Sequence, residues 1–145
     1  MAHVERRWPL PELPFFYSVD EPVGRHAPNH PDDVRLVQYM LKRVFESPDV
    51  APLSEPIQID GIFGPNTWNA IVEFQRRWRR MTARYTTPDG IVDGRVSPAR
   101  NAGYDHAGHI YAYTIVSLNL EFKACYPEYF NARLHLSPTI AISGN

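Results

Sequence analysis

Two pairs of histidines are the residues of this chain that most resemble metal ligands. His26 and His30 form the first pair, and His106 and His109 form the second pair beside Asp105. A zinc site needs three or four nitrogen, sulfur or oxygen ligands in a tetrahedral array. No His-Glu-x-x-His sequence occurs, and both pairs lie in turn-rich sequence. We therefore expect exposed or capping histidines and no metal site.

Covalent and acid–base chemistry have little support in the sequence. Cys125 is the single cysteine and ends an apolar segment, which favours a small buried hydrophobe over an activated nucleophile. Glu73 and Asp93 could hydrolyse a glycoside only with carboxyl groups about 5–10 Å apart across a cleft, and no feature of the sequence places them so. The sequence predicts no enzyme, no catalytic residue and no cofactor.

The length and composition of the chain limit the architectures that it can form. The chain has 145 residues, of which 43% are hydrophobic, so it can form one domain with additional arms. A formal charge of −1 gives no bulk attraction to nucleic acid or to an anionic membrane. No apolar run approaches the roughly 18 residues of a membrane span. Residues 1–17 contain arginines, prolines and acids and lack the apolar h-region of a signal peptide, so we expect no Sec signal peptide.

Residues 1–30 are predicted to form a proline-rich N-terminal arm. Prolines at this density remove backbone donors and restrict the preceding residues, so we expect neither a regular helix nor a regular strand there. The apolar segment around Trp8 favours an arm that packs on its own domain. Docking of the arm on a partner protein is the alternative, because extended proline-rich segments are preorganised for such contacts.

Three helices are predicted in the remainder of the chain. The first begins at Pro31 behind a polar cap at Asn29 or His30, carries apolar residues at helical spacing and ends before Pro48. The second begins at Pro65 and runs to about residue 80. The third covers about residues 109–125, although its composition would also suit a strand. Residues 127–145 form a C-terminal extension.

A seven-residue pattern occurs twice, at 59–65 and 92–98. Each copy has an aliphatic residue, Asp-Gly, any residue, an apolar residue, a small residue and proline. The glycines Gly61 and Gly94 permit the positive φ of a tight turn, and the carboxylates of Asp60 and Asp93 can accept backbone N–H groups two residues on. The apolar fifth residue can fill the core. The pattern predicts a structural turn that leads into a helix.

The first copy and the residues after it resemble the peptidoglycan-binding-domain family. The family motif, DG-x-x-GP-x-T followed by an apolar stretch ending in FQ, is matched by Asp60, Gly61, Phe63, Gly64, Pro65, Thr67, Phe74 and Gln75. Gln38 lies in a segment similar to the family's first helix, and Asp93-Gly94 lies where the family turns into its third helix. The resemblance covers roughly residues 30–122. It implies an all-α, three-helix bundle at 31–126, with the N-terminal arm and C-terminal extension added.

The resemblance also implies noncatalytic binding of bacterial peptidoglycan, through its peptide stem, in a shallow groove. Candidate ligand-binding residues are Trp68, Arg95, Arg100 and Tyr104. The chain departs from the family in a longer loop at 47–56, in Ser97 and Arg100 where glycine and threonine are usual, and in a stretch at 101–108 that looks inserted. These changes lie near a possible ligand site.

Arginines crowd the end of the second predicted helix. They spread over more than half of the helix circumference, which favours a solvated helix end over a surface that binds wall polymer or a partner, and nucleic acid is the weakest reading. Trp8, Arg76, Arg77 and Arg80 are the candidate partner-docking residues. The rival function is a structural adaptor of a phage tail, contractile injection or secretion machine. A wall hydrolase is a weaker third hypothesis.

Without a Sec signal, the expected place of action is the cell envelope or an extracellular particle. The protein would be made in the cytoplasm and reach the wall by lysis, by a particle or secretion machine, or by another non-Sec route.

Overall fold

The computed structural model describes residues 2–5, 13, 15–81, 92–98 and 114–131, with backbone alone for 79–81. In chain order the elements are β1 (His3–Glu5), β2 (Phe16–Ser18), α1 (Pro31–Glu46), α2 (Pro65–Met81), α3 (Thr114–Cys125) and α4 (Pro127–Asn131). The helix-rich architecture agrees with the sequence prediction. The small sheet and α4 are additions that the prediction of an all-α, three-helix bundle did not contain.

Helix α1 forms the centre of the fold and packs against α2, α3 and β2. Its apolar stripe is buried as the spacing predicts, with Val34, Val37 and Leu41 all fully buried. The helix begins at Pro31 and ends at Glu46, before Pro48, as predicted. This central position explains why α1 can contact both the N-terminal strands and the turn before α2.

The predicted polar cap of α1 is wrong. His30 occupies the N-cap position but makes no side-chain capping hydrogen bond. The Asn29 side chain instead closes the preceding loop, because its Oδ1 accepts from the Gly24 N–H at 2.8 Å and its Nδ2 donates to the Gly24 carbonyl at 2.7 Å. In the first turn, the buried Asp33 carboxylate accepts the backbone N–H groups that follow β2. Burial raises the pKa of Asp33, against the opposing effect of these hydrogen bonds.

Helices α2 and α3 agree with the predicted boundaries where the structure describes them. Helix α2 begins at Pro65 and extends to Met81, close to the expected end. Helix α3 is described from Thr114 to Cys125, which settles the choice between helix and strand for this stretch. Positions 109–113 of the predicted helix lie outside the described residues.

The expectation that residues 1–30 contain no regular strand is wrong. Strands β1 and β2 pair antiparallel, with His3 opposite Ser18 and Glu5 opposite Phe16. Neither strand contains a proline, since Pro9, Pro11 and Pro14 all fall between them. The high average proline content of the segment therefore does not apply to these two short stretches, in which every residue keeps its backbone N–H donor.

Strand β2 is held in the core by polar groups of α3 and α4. The buried Asn119 side chain accepts from the Tyr17 N–H at 2.7 Å and donates to the Tyr17 carbonyl at 2.8 Å. The Tyr17 hydroxyl donates to the Phe130 carbonyl at 2.6 Å. Phe16 and Phe130 are fully buried in the same cluster. This part of the N-terminal segment thus packs on its own chain.

Within the described ranges, no helix combines the length and apolar character that crossing a bilayer requires.

Candidate functional site

The first Asp-Gly turn is fastened to α1 by one buried glutamine. The Gln38 Oε1 accepts from the N–H groups of Asp60 and Gly61, at 3.0 and 2.9 Å. Its Nε2 lies 3.0 Å from the Asp60 carboxylate, 3.1 Å from the Ile62 carbonyl and 3.1 Å from the Thr67 hydroxyl. Gln38 therefore connects α1, the turn and the first turns of α2.

The second Asp-Gly turn repeats this arrangement one helix later. The Gln75 Oε1 accepts from the Gly94 N–H at 2.8 Å. Its Nε2 lies 3.0 Å from the Asp93 carboxylate, 3.0 Å from the Arg95 carbonyl and 2.9 Å from the Thr114 hydroxyl. Gln75 thus connects α2, the second turn and the start of α3. We call the two arrangements the Gln38 clamp and the Gln75 clamp.

The clamps identify residues that sequence reasoning missed. Gln38 was seen only as part of a family-like helix, and Thr114 was not singled out. Thr114 takes the position in the second clamp that Thr67 takes in the first, whereas sequence alignment had placed Arg100 there. The useful signal was a glutamine on the helix preceding each Asp-Gly, 22 residues before Asp60 in the first copy and 18 before Asp93 in the second.

Both copies of the motif form a tight turn at their Asp-Gly pair. Gly61 and Gly94 have φ values of 77° and 67°. The carboxylates of Asp60 and Asp93 accept the N–H groups two residues on, at 2.9 and 3.0 Å. Hydrogen bonds from the Ile62 N–H and from Gln38 lower the pKa of Asp60, against a small opposing effect of burial.

The motif's apolar residues also pack as expected. Phe63 is half-buried against the core, Val96 is fully buried and Phe74 is buried. Gly64 lies just before α2, and Pro65 is the first residue of that helix. Phe63, Gly64 and Pro65 shape the entry to α2, and none of these positions presents a reactive group.

An open groove lies between α2 and the loop at 47–56. Its volume is about 490 Å³. Residues 52–55 form one wall, and α2 contributes the other. The principal polar and aromatic lining residues of α2 are Asn66, Trp68, Asn69, Glu73, Arg76 and Arg77. The lengthened loop noted in the sequence is thus the element that turns this helix face into a groove.

Arg77 fixes the loop wall against α2. Its Nε donates to the Glu73 carboxylate at 2.8 Å, and its Nη1 donates to the Ala51 carbonyl. Its guanidinium also lies 5.0 Å from the centre of the Phe45 ring. These contacts engage Arg77 with its own chain. Docking of a partner by Arg77 stays a prediction, and a partner would compete with these internal contacts.

Arg76 and Glu55 differ from Arg77, since neither forms a hydrogen bond or an ion pair in the described part of the chain. Both are exposed and both line the groove, Arg76 from α2 and Glu55 from the loop. The groove therefore presents one uncompensated positive and one uncompensated negative side chain. The amides of Asn66 and Asn69, also exposed, supply further donors and acceptors.

Trp68 sits at the junction of the groove and the second turn. Its indole packs so tightly on Gly94 that a Cβ there would overlap the indole nitrogen. The Arg25 guanidinium lies 4.2 Å from the ring centre and covers one ring face. Trp68 therefore helps to hold α2 on the second turn, in addition to lining the groove.

The other candidate residues do not gather at the groove. Arg95 packs across Gly24, where a Cβ would lie 3.1 Å from the Arg95 Cγ, and it is not among the groove residues. Trp8, Arg100 and Tyr104 and the side chain of Arg80 lie outside the described residues. The structure thus brings together Trp68, Arg76 and Arg77, which the sequence had divided between ligand binding and partner docking.

The described ranges contain no cluster of three or more histidine, cysteine or acidic residues that could hold a metal ion. Cys125 is half-buried rather than buried, and its thiol donates to the Glu121 carboxylate at 3.4 Å. Burial raises the pKa of Cys125, which disfavours the nucleophilic thiolate.

Comparison with known proteins agrees with the motif. Residues 30–97 match the model of the family described as "Putative peptidoglycan binding domain". No curated protein and no solved structure matches the chain. The match includes α1, the 47–56 loop, α2 and both Asp-Gly turns, but it ends before α3, so it is shorter than the 30–122 resemblance. Residues 30–97 of this chain therefore match the family that the sequence motif resembles.

Proposed function

We propose that this chain binds bacterial peptidoglycan without catalysing a reaction on it, and that the groove between α2 and the 47–56 loop is the binding site. The observation that carries the proposal is the family match over 30–97, which includes every residue lining the groove. The family description is that of a binding domain. In this proposal the family scaffold comprises the helices that the two clamps join, and the N-terminal segment and residues 127–145 are additions to it.

The groove chemistry favours the peptide stem over the glycan strand. Stem peptides present amide groups, free carboxylates and amines, which suit the amides of Asn66 and Asn69 and the charges of Glu55 and Arg76. Sugar binding relies on an open aromatic face, and Arg25 already covers one face of Trp68. We therefore assign the stem as the ligand.

Cosedimentation with purified sacculi, at several salt concentrations, tests this proposal. Asn69→Tyr places a bulky side chain on an exposed helix position inside the groove and should abolish saturable binding while leaving the melting temperature unchanged. Gln58→Tyr is the matched control, since Gln58 is exposed and does not line this groove. That variant should bind as the unmodified protein does.

Absence of saturable binding by the unmodified protein would refute the proposal. The domain would then be a scaffold for protein contacts, as in a structural adaptor of a phage tail, contractile injection or secretion machine. Binding that persists in Asn69→Tyr would keep the wall as ligand and remove the groove as its site. In our proposal the protein acts at the cell envelope.

A further inference from the structure

The groove carries its unpaired charges on opposite walls, and this arrangement points to a particular end group. We propose that it binds a stem residue whose side chain ends in both a free amino group and a free carboxylate, as in diaminopimelate, in preference to lysine. Arg76 takes the carboxylate and Glu55 takes the ammonium. This inference rests on the proposed function, because it names the part of peptidoglycan that the same groove recognises.

Arg76 is the cation that the protein leaves available. Its neighbour Arg77 is engaged by Glu73 and by the Ala51 carbonyl, whereas Arg76 has no such contact in the described part of the chain. Both lie on α2, a helix held at its start by the Gln38 clamp. A guanidinium presents parallel donors that match a carboxylate in a bidentate geometry. Arg76 can therefore receive a ligand carboxylate without losing an internal contact.

Glu55 is the corresponding anion. The other carboxylate of the groove, Glu73, accepts from Arg77 at 2.8 Å and is already compensated. Glu55 lies on the loop wall and pairs with no described residue, Arg76 included. A ligand that carried only a carboxylate would pair with Arg76 and leave Glu55 without a partner. A ligand that carried only an ammonium would pair with Glu55 and leave Arg76 without a partner.

Diaminopimelate and lysine stems differ in the group at the end of this side chain. Both present an ammonium, and diaminopimelate adds a carboxylate on the same terminal carbon. The groove volume of about 490 Å³ falls within the roughly 300–1,000 Å³ typical of ligand pockets. Both protein charges are solvent-exposed, so screening limits each contact, and we expect a preference of about three- to fivefold at low salt.

Calorimetric titration with soluble disaccharide-tripeptides tests the inference. The probes carry diaminopimelate, diaminopimelate with its terminal carboxylate amidated, or lysine at the third stem position. The unmodified protein should bind the first about three- to fivefold more tightly than the other two. Arg76→Gln should reduce affinity for the first probe to that for the other two and leave theirs unchanged. Glu55→Gln should weaken all three, since each presents an ammonium.

Lys123→Gln is the charge-matched control, because Lys123 lies on α3 and does not line the groove. It should bind all probes as the unmodified protein does. Equal affinity for the three probes, or a preference that survives Arg76→Gln, would overturn the inference. Sacculus binding with equal probe affinities would leave the proposed function standing, whereas loss of binding to sacculi and to every probe would remove both.

Discussion

Replacing Gln38 with alanine tests whether the clamp holds α1, the first Asp-Gly turn and α2 together. The side chain is 1% exposed, so water does not substitute for it in the folded protein. Its Oε1 accepts two backbone N–H groups, and its Nε2 is shared among three oxygen atoms. Alanine removes all of these contacts and leaves the buried N–H of Gly61 without a partner.

The expected loss follows from counting the bonds that the amide can form. An amide nitrogen has two hydrogens, so the three contacts of Nε2 amount to about two full bonds, and Oε1 adds two more. At about 1 kcal/mol each, these sum to about 4 kcal/mol. Relaxation of the exposed side of the turn and entry of water offset part of this. We expect Gln38→Ala to lower the free energy of unfolding by about 3–4 kcal/mol.

Urea unfolding followed by tryptophan fluorescence measures this loss, with Gln58→Ala as the matched control. Gln58 is exposed, and its truncation should change the free energy of unfolding by less than about 0.5 kcal/mol. Gln38→Met separates hydrogen bonding from packing, because methionine fills a similar volume without polar atoms. It should lose nearly as much as alanine does. Full stability in the methionine variant, or equal effects at the two glutamines, would refute the clamp as described.

The remaining predictions concern the same turn and the anchoring of β2. Gly61→Val should cost about 1–3 kcal/mol because φ is 77°, whereas Gly64→Ala, whose Cβ meets nothing within 4 Å, should be nearly neutral in thermal melts. Because the pKa of Asp60 is lowered by folding, its charged carboxylate adds stability that is fully present above the ordinary pKa and is lost as pH falls through the lowered pKa. Asp60→Asn should therefore lose less stability than the unmodified protein between about pH 5 and pH 2. Tyr17→Phe removes the 2.6 Å hydrogen bond to the Phe130 carbonyl and should cost about 1 kcal/mol in urea.

The Asp-Gly turns were predictable because their constraints are local. A positive φ at Gly61 and a carboxylate that accepts an N–H two residues on involve only neighbours in sequence. The glutamine that completes each turn is not local, and no pattern within one helix indicates which polar residue will be buried. Gln38 reads as an ordinary helical residue until α1 is placed against the turn.

The N-terminal segment shows a different limit. Its prolines predicted no regular strand, but a three-residue strand needs only a proline-free stretch and a partner. The partner here includes the amide of Asn119 on α3, which lies 102 residues from Tyr17. A buried asparagine in an apolar helix gives no sequence signal of what it binds, so the anchoring of β2 could not be inferred.

The candidate site was predicted in its components and not in its assembly. Trp68 and Arg76 were both proposed as binding residues, for ligand and for partner respectively. Their common groove depends on the 47–56 loop, whose length was noted as a departure from the family while its position could not be inferred. The packing of Arg95 against Gly24 could not be inferred for the same reason, since Gly24 lies in a segment outside the family match.

The division between clamps and groove explains how one scaffold can serve different ligands. The clamps use the buried faces of α1 and α2, so a change in Gln38 or Gln75 acts first on folding. The groove uses another side of α2 and a loop that contributes only Val50 and Leu53 to the apolar residues packed against the core. Substitutions at Glu55 or Arg76 therefore leave the clamps intact and alter only what the groove can hold. Ligand preference in this chain is thus expected to be determined by the residues that the family motif does not specify.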